Sequence, residues 1–446
     1  MPPVLMPHQE EAIQFLESKG SKGLLAMEPG TGKTLTTLEY LRRKNVFPAM
    51  IVAPVTILGM WRSEIAKWYG WNTVVIRGTP EERQKIYLKS RADIYLIGYE
   101  TFRIDIESIK KFLPVHACIL DESGKIRTPT AQISKHIRGF KPPVRIALDG
   151  TPVSNSIADL WNVSEWLEPG IFLGNWWKFR KQNAIMNPYI PGKIDGWRDP
   201  DRIAATATRN IFWKKKTDVL KDLPAMTQTD LILDQSPEER KLYKQIKNEL
   251  RLEIDGQQIP ITNALALLMR LRQAANGVFT DPVTPTKTKA VLDLIAGLPQ
   301  GEKIVVFSQF ETVVSRLIED LPVKSVKITG AVSQEEREAA VAQFENDPDT
   351  RVIVMTSAGE KGLNLQCASY MIQYDLVWSA SAEEQRIGRI WRHGQSKPAT
   401  IWNLLMSGTV DIHMRGILNR KKKLADAVSS TDNVTYEDIK AILEEE

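Results

Sequence analysis

Cysteine is nearly absent from this chain: Cys118 and Cys367 are the only two in 446 residues. Neither sits in a CxxC or Cys/His ligand spacing, which argues against a zinc module, a disulfide framework or a redox pair. Both thiols lie beside apolar residues, so structural burial is the expectation for each. Long hydrophobic runs are also missing, and no stretch is apolar for long enough to span a bilayer. The start, MPPVLMPHQEEAIQFLE, reaches acidic residues before any long apolar run forms, so it does not read as a signal peptide. Charge of one sign is lacking too. A balance of 59 basic against 54 acidic residues, net +5, suits a local basic groove better than a wholly positive surface, and permits nucleic acid without requiring it. No repeat or low-complexity tract stands out. With 43% hydrophobic and 25% charged residues, the chain reads as globular, with room for two or three domains.

What is present is an alternation. Short β-branched runs (GLLAM, MIVAP, TVVIR, DIYLIG, CIL, VRIAL) punctuate helical patterns between positions 23 and 148, and the same texture returns in KIVVFS, SVKITG, RVIVMTS, YMIQYD and ATIWNL between 303 and 404. Strands alternating with helices predict parallel sheets covered by helices, here two α/β domains in series. Residues 1–165 form the first, 286–446 the second, and 166–285 a mostly helical insertion and linker marked by Trp176, Trp177, Trp197 and Trp213. The tail HMRGILNRKKKLADAV predicts a helix packed on one of the α/β domains.

The chemistry concentrates in three places. In GLLAMEPGTGKTLTTLEYLRR an apolar strand, a Gly-rich turn and an amphipathic helix follow in order. This is the context of a phosphate-binding loop, whose backbone N–H groups close around phosphates at a helix N-terminus. The loop comprises Met27, Glu28, Pro29, Gly30, Thr31, Gly32, Lys33 and Thr34, with Met27 where the usual pattern has glycine. Lys33 would reach the β- and γ-phosphates of ATP and Thr34 would ligate Mg²⁺. Second, the strand VHACIL ends in Asp121 and Glu122, adjacent carboxylates at the carboxyl edge of a parallel sheet. Asp121 can share the Mg²⁺, and Glu122 can orient or deprotonate the attacking water. Third, EEQRIGRIWRHGQ repeats arginine at 386, 389 and 392, which a helix would present along one side. Those cations are either a solvated helix face or, if the domains face each other, arginines that enter to stabilise charge on the γ-phosphate, coupling closure to chemistry.

Together these segments resemble the Snf2 family of superfamily 2 helicase-like ATPases over nearly the whole chain. LMPHQEEAIQFL is similar to the Q motif, MEPGTGKT to motif I, IVAPVTILGMWRSEIAKW to motif Ia, DESGKIR to motif II and ALDGTPVSNSIADLW to motif III. KIVVFSQF, MTSAGEKGLNLQCA and QRIGRIWRHGQ resemble motifs IV, V and VI, and WKKKTDVLKDLPAMTQTDLILDQSPEERKLY the Snf2 linker. The resemblance implies two RecA-like lobes in tandem, ATP and Mg²⁺ in a cleft, and double-stranded DNA tracked along its backbone. It places Gln9 at the adenine, Arg389 and Arg392 at the phosphates, Gln385 in the same cleft, and Gly362 beside nucleotide and DNA. Three departures stand out: Gly124 where many relatives have His, Asp149 where Ser or Thr commonly precedes Gly-Thr, and Trp213-Lys214 in place of paired arginines. They bear on coupling more than on hydrolysis.

Motors of this kind grip the nucleic-acid backbone without reading sequence. The expected contacts are Pro54, Val55, Thr56, Thr151, Ser308, Gln309, Thr356, Ser357 and Lys361, with Lys214, Lys215 and Lys216 either adding phosphate contacts or forming a solvated face. The insertion tryptophans are read as core packing over a base-stacking platform. The expected protein is a monomeric, ATP-dependent duplex-DNA translocase that moves, remodels or reanneals DNA, with DNA repair, branched DNA and DNA-bound proteins as candidate settings. Its expected location is the cytoplasm of a bacterial or phage-infected cell. A strand-separating DNA or RNA helicase is the alternative, and a non-motor ATP switch a second one.

Overall fold

The computed structural model describes residues 3–150, 152, 157–188, 194–254, 261–280, 283–357 and 363–426. Two compact units are built on Met1–Lys221 and Asp222–Lys423. The strands, in chain order, are β1 (Lys22–Met27), β2 (Ala49–Ala53), β3 (Thr73–Ile76), β4 (Ile94–Gly98), β5 (Ala117–Asp121), β6 (Val144–Asp149), β7 (Ala184–Met186), β8 (Ile194–Trp197), β9 (Ile211–Lys214), β10 (Met226–Leu233), β11 (Ile304–Phe307), β12 (Ser325–Ile328), β13 (Val352–Met355), β14 (Tyr370–Gln373) and β15 (Ala399–Met406).

The first sheet runs β3-β4-β2-β5-β6-β1-β9 and the second β10-β15-β14-β11-β13-β12. Every strand pair in both is parallel, as the alternation predicts. The reason is visible in burial. Leu24 and Ala26 pack into one core of the first unit, and Leu25 and Met27 into the core on the opposite face. A strand whose alternate side chains are all apolar must be covered on both sides, and helices do the covering. Thus two RecA-like parallel-sheet lobes are the fold.

The region 166–285 holds short strands among its helices. It carries β9 to the edge of the first sheet, β10 to the edge of the second and the small antiparallel hairpin of β7 and β8, and the boundary between the units falls inside it at Lys221 and Asp222. Edge strands are covered on one side only, so β10 alternates partly buried and exposed residues instead of forming an apolar run. The aromatic residues divide. Trp176 and Trp197 join Trp161, Phe172 and Phe179 in one cluster, with ring centroids 5.4 Å apart for Trp161 and Trp176 and 5.5 Å for Phe179 and Trp197. Trp177 and Trp213 are exposed. Cys118 is buried in β5, whereas Cys367 is exposed, in a turn before β14, which corrects the expectation for that thiol. A helix spans Val410–Asp426, and its Met414 and Leu418 pack against Tyr243, Leu271 and Leu376 of the second unit. Among the described residues no helix is long and apolar enough to cross a membrane.

Candidate nucleotide site

Three neighbouring strand ends in the first sheet create the site. β1 pairs with β6 so that Ala26 faces Asp149, and β5 pairs with β6 so that Asp121 faces Leu148. The loop after β1, the carboxylates after β5 and the residues after β6 therefore share one carboxyl edge, where parallel sheets bind ligands.

Met27 is the last residue of β1, fully buried and paired with Lys214 of β9. Its position is an ordinary strand position, so glycine is not needed there. Left-handed backbone begins further on, with φ of +88° at both Gly30 and Gly32. Gly32 caps helix α2, Lys33–Lys44, whose first turn opens unsatisfied N–H groups toward the sheet edge. Within the turn, the Thr31 hydroxyl donates to the Glu28 carbonyl at 2.7 Å. Glu28 also ties the loop to the segment after β9: its N–H donates to the Lys214 carbonyl at 3.2 Å, and its carboxylate accepts the Lys216 N–H at 2.8 Å. Lys216 itself is buried and Lys214 bridges Glu11 at 2.7 Å, so the lysine run is neither a uniformly solvated face nor a row of free phosphate contacts.

Gln9, on helix α1, Pro7–Ser18, is buried beneath the loop. Its side chain accepts from the Met6 N–H at 2.8 Å and donates to the Gly32 carbonyl at 3.3 Å, while the His8 ring meets the Thr31 carbonyl at 2.8 Å. Lys33 donates to the Met27 carbonyl at 2.5 Å. Burial pulls its pKa below the ordinary lysine value, opposed by the negative charges of Glu122, Asp121, Asp149 and Glu28. Thr34 is partly buried in the first turn of α2.

Asp121 is 8% exposed. Its carboxylate accepts from the Trp61 indole at 2.8 Å and from the Glu122 N–H at 2.9 Å, and its carbonyl accepts from the Tyr99 hydroxyl at 2.8 Å. Burial raises its pKa, and the Trp61 hydrogen bond and the Lys33 charge work against that rise. Glu122 stands at φ +53°, a left-handed conformation that a side chain disfavours. Asp149, 2% exposed, accepts from the Gly124 N–H at 2.7 Å and the Ser123 hydroxyl at 3.4 Å. A Cβ on Gly150 would stand 3.0 Å from the Pro29 ring, so the chain after β6 touches the phosphate loop as well. Trp61 and Tyr99 went unrecognised in the sequence. Trp61 lies inside the motif Ia segment, but nothing local marks it as a partner of a carboxylate sixty positions away.

The donor set suits the groups expected here. Two left-handed glycines at a helix start make an anion cradle, and Thr34 with the buried Asp121 is the kind of partial oxygen set that Mg²⁺ shares with substrate phosphates.

Of the expected DNA contacts in the first unit, Pro54, Val55 and Thr56 follow β2 at the same carboxyl edge, and Val55 is 69% exposed. Thr151 lies outside the described residues, as do Lys361 and Gly362. In the second unit Ser308 is fully buried and donates to Asp375 at 2.6 Å, so its hydroxyl is not a surface group. Gln309 accepts from Arg272 at 2.9 Å and donates to the Leu376 carbonyl at 3.2 Å. Thr356 is buried, and Ser357 accepts from Arg386 at 2.6 Å. The single arginine face is corrected. The helix Ala380–Ile387 carries Gln385 and ends at Gly388, leaving Arg389 and Arg392 in the turns beyond it. Arg386 is fully buried over the Phe307 ring, whereas Arg389 is partly buried and donates to the Leu363 carbonyl at 3.3 Å.

The chain is similar to known proteins over most of its length. Residues 8–279 match the SNF2-related domain family and residues 286–394 the helicase conserved C-terminal domain. An uncharacterized ATP-dependent helicase of Mycoplasma genitalium is 27% identical over 99% of this chain and 44% of its own length. The human SWI/SNF-related matrix-associated actin-dependent regulator of chromatin subfamily A member 1 is 27% identical over 91% of this chain and 42% of its own. This chain thus spans less than half the length of those relatives. The solved SWI2/SNF2 ATPase core of Sulfolobus solfataricus in complex with dsDNA is 25% identical, covering 100% of this chain and 98% of that one, with a TM-score of 0.46. With the SNF2-related domain matched over more than half of its residues, the chain belongs to the Snf2 family of superfamily 2 helicase-like ATPases.

Proposed function

We propose that this chain hydrolyses ATP and uses the energy to move along double-stranded DNA, gripping its backbone without sequence preference. The observation that carries the reading is the convergence of the Gly30–Gly32 cradle, Lys33, Asp121 and Glu122 at one sheet edge in an Snf2 chain. Backbone N–H groups of the loop and the start of α2 hold the phosphates, and Lys33 exchanges the Met27 carbonyl for phosphate oxygens. Bound at Thr34 and Asp121, Mg²⁺ would neutralise charge that develops on the phosphates. Glu122 orients or deprotonates the attacking water. Arg389 and Arg392 are the proposed arginine contacts to the phosphates, with Gln385 proposed to line the same cleft and Gly362 to lie beside nucleotide and DNA.

For DNA, the exposed Pro54-Val55-Thr56 turn is the best-supported contact, with Thr151, Gln309, Ser357 and Lys361 proposed beside it. Relatives named as an ATP-dependent helicase and as a chromatin regulator support a nucleic-acid motor, and the duplex as its track is what membership of the Snf2 family implies. The proposed settings are DNA repair and the remodelling of branched or protein-bound DNA in a bacterial or phage-infected cytoplasm.

The test is ATP turnover with duplex DNA, single-stranded DNA and RNA at one stated salt concentration. Stimulation by duplex, together with triplex displacement without release of a labelled strand, is the expected result. Stimulation by single strands or RNA with strand release would make the chain an unwinding helicase instead. Unchanged turnover in Lys33→Ala and Glu122→Gln would sink the catalytic assignment.

A further inference from the structure

We propose that Asp149 is a positioning residue for Glu122, acting through the backbone N–H of Gly124, so that Gly124 and Asp149 form a matched pair in this chain. The inference rests on the ATP-hydrolysis reading and adds to it a residue and a mode of action. Glu122 stands in left-handed backbone, φ +53° and ψ +54°, and a non-glycine residue persists there only where its surroundings hold it. The turn Ser123–Ile126 follows at once. Whatever fixes that turn fixes the direction in which Glu122 leaves the strand.

Asp149 does the fixing. β6 lies beside β5 with Leu148 opposite Asp121, which puts residue 149 level with the chain leaving β5. From there the Asp149 carboxylate accepts the Gly124 N–H at 2.7 Å and the Ser123 hydroxyl at 3.4 Å. A carboxylate on a backbone N–H is a charge-assisted hydrogen bond, and this one is buried, where water competes little.

The identity of both residues follows from the space around them. A Cβ at position 124 would lie 2.6 to 2.9 Å from the Arg127 guanidinium, which packs over Gly124 and reaches to 3.9 Å from Asp149. A side chain at 124 would displace that cation. At 149, a serine or threonine hydroxyl sits on Cβ, one bond nearer its own backbone than the carboxylate oxygens on Cγ, so it falls short of the Gly124 N–H. Glycine leaves room for Arg127 and offers only a backbone donor, and aspartate is long enough to take it. The link between the segments after β5 and β6 thus runs from a side chain of one to the backbone of the other.

The experiment compares wild-type protein with Asp149→Thr, Asp149→Ser and Asp149→Asn. It reads kcat and KM for DNA-stimulated ATP turnover, ADP affinity and thermal midpoint. Asp149→Thr and Asp149→Ser are expected to lower kcat about tenfold or more, with KM and ADP affinity held within about threefold, because the loss falls on Glu122 and not on the phosphate cradle. Asn keeps an acceptor oxygen on Cγ, so Asp149→Asn is expected to recover most of the lost kcat. The proposal is overturned if either hydroxyl variant retains wild-type kcat, if Asn is as slow as Thr, or if kcat falls only in step with the thermal midpoint. Should Asp149→Thr not fold, the smaller Asp149→Ser gives the same reading. Wild-type protein that hydrolyses no ATP would instead overturn the proposed function.

Discussion

Replacing Trp61 by Phe isolates one hydrogen bond at the Asp121 carboxylate. Trp61 lies on α3, Leu58–Trp68, is fully buried, and donates its indole N–H to Asp121 at 2.8 Å. Phenylalanine keeps an aromatic ring in the core and removes the donor. A hydrogen bond to a buried charged group contributes about 1.5–3 kcal/mol, and about 1.4 kcal/mol is a factor of ten, so the ionised carboxylate should lose roughly ten- to hundredfold in stabilisation. The lost donor also leaves the carboxylate free to turn from the position in which it would meet the Mg²⁺ that accompanies ATP, and that misplacement is what a metal titration reads. In a titration of free Mg²⁺ at fixed ATP, W61F should need about tenfold more metal for half-maximal turnover, while Tyr99→Phe, whose hydroxyl serves the Asp121 carbonyl, should move the curve much less. Thermal melting in parallel measures the cost of the smaller ring to the core. A W61F protein that melts as a folded domain and follows the wild-type Mg²⁺ curve would refute the assignment of Asp121 as the metal ligand.

Three further outcomes follow from other parts of the structure. Gly32→Ala puts a Cβ at φ +88° and within 2.3 Å of the Gln9 side chain, so about 1–2 kcal/mol of backbone strain should appear with loss of ATP binding by fluorescent-nucleotide titration. Glu39, held by Arg42, Arg43 and Tyr69, has its pKa lowered from 4.5 to about 2, first by the Arg42 hydrogen bond. Its folded pKa is depressed, so its stabilisation is complete above pH 4.5 and is lost as pH falls toward 2; urea melts should show E39Q about 3 kcal/mol less stable than wild type at pH 7, with the gap narrowing below pH 4. Lys287 is buried and donates to Asp411 at 2.6 Å and to Asn276 at 2.8 Å; K287M should cost the second unit about 3–5 kcal/mol in the same melts, because it strands a buried carboxylate.

The central strands and the phosphate loop were legible because their signals are local. Buried parallel strands are continuous apolar runs, and the loop is a strand, a turn and a helix within some twenty residues. β9 and β10 were not legible: β9 is only four residues long, and β10 is a mixed polar and apolar run with no fully buried residue. The arginines at 386, 389 and 392 misled for a different reason. Their spacing fits a helix, but Gly388 ends that helix between them, so Arg386 enters the core while Arg389 and Arg392 lie in turns. Contacts across strands were invisible altogether. Nothing near Trp61 points to Asp121, and nothing near Asp149 points to Gly124, because the order of β2, β5 and β6 in the sheet, and the packing of α3 after β2, bring them together.

The departures from the family pattern take on meaning once conformation is separated from residue type. Glycine is required where φ is positive, which in the loop means Gly30 and Gly32; Met27, the last residue of a covered strand, meets the demand for an apolar side chain instead. Position 124 differs, because glycine is present there without a positive φ, and what a Cβ would meet is the Arg127 guanidinium. Glu122 shows the reverse: a left-handed residue that is not glycine, kept because the chemistry proposed for it needs a carboxylate. Strain is therefore accepted at the one position where a functional side chain and an unfavourable backbone must coincide, and the neighbouring Asp149 is placed to hold it. A residue chosen for that task is constrained by its partner more than by its family, so positions 124 and 149 should be read as one unit when this chain is compared with its relatives.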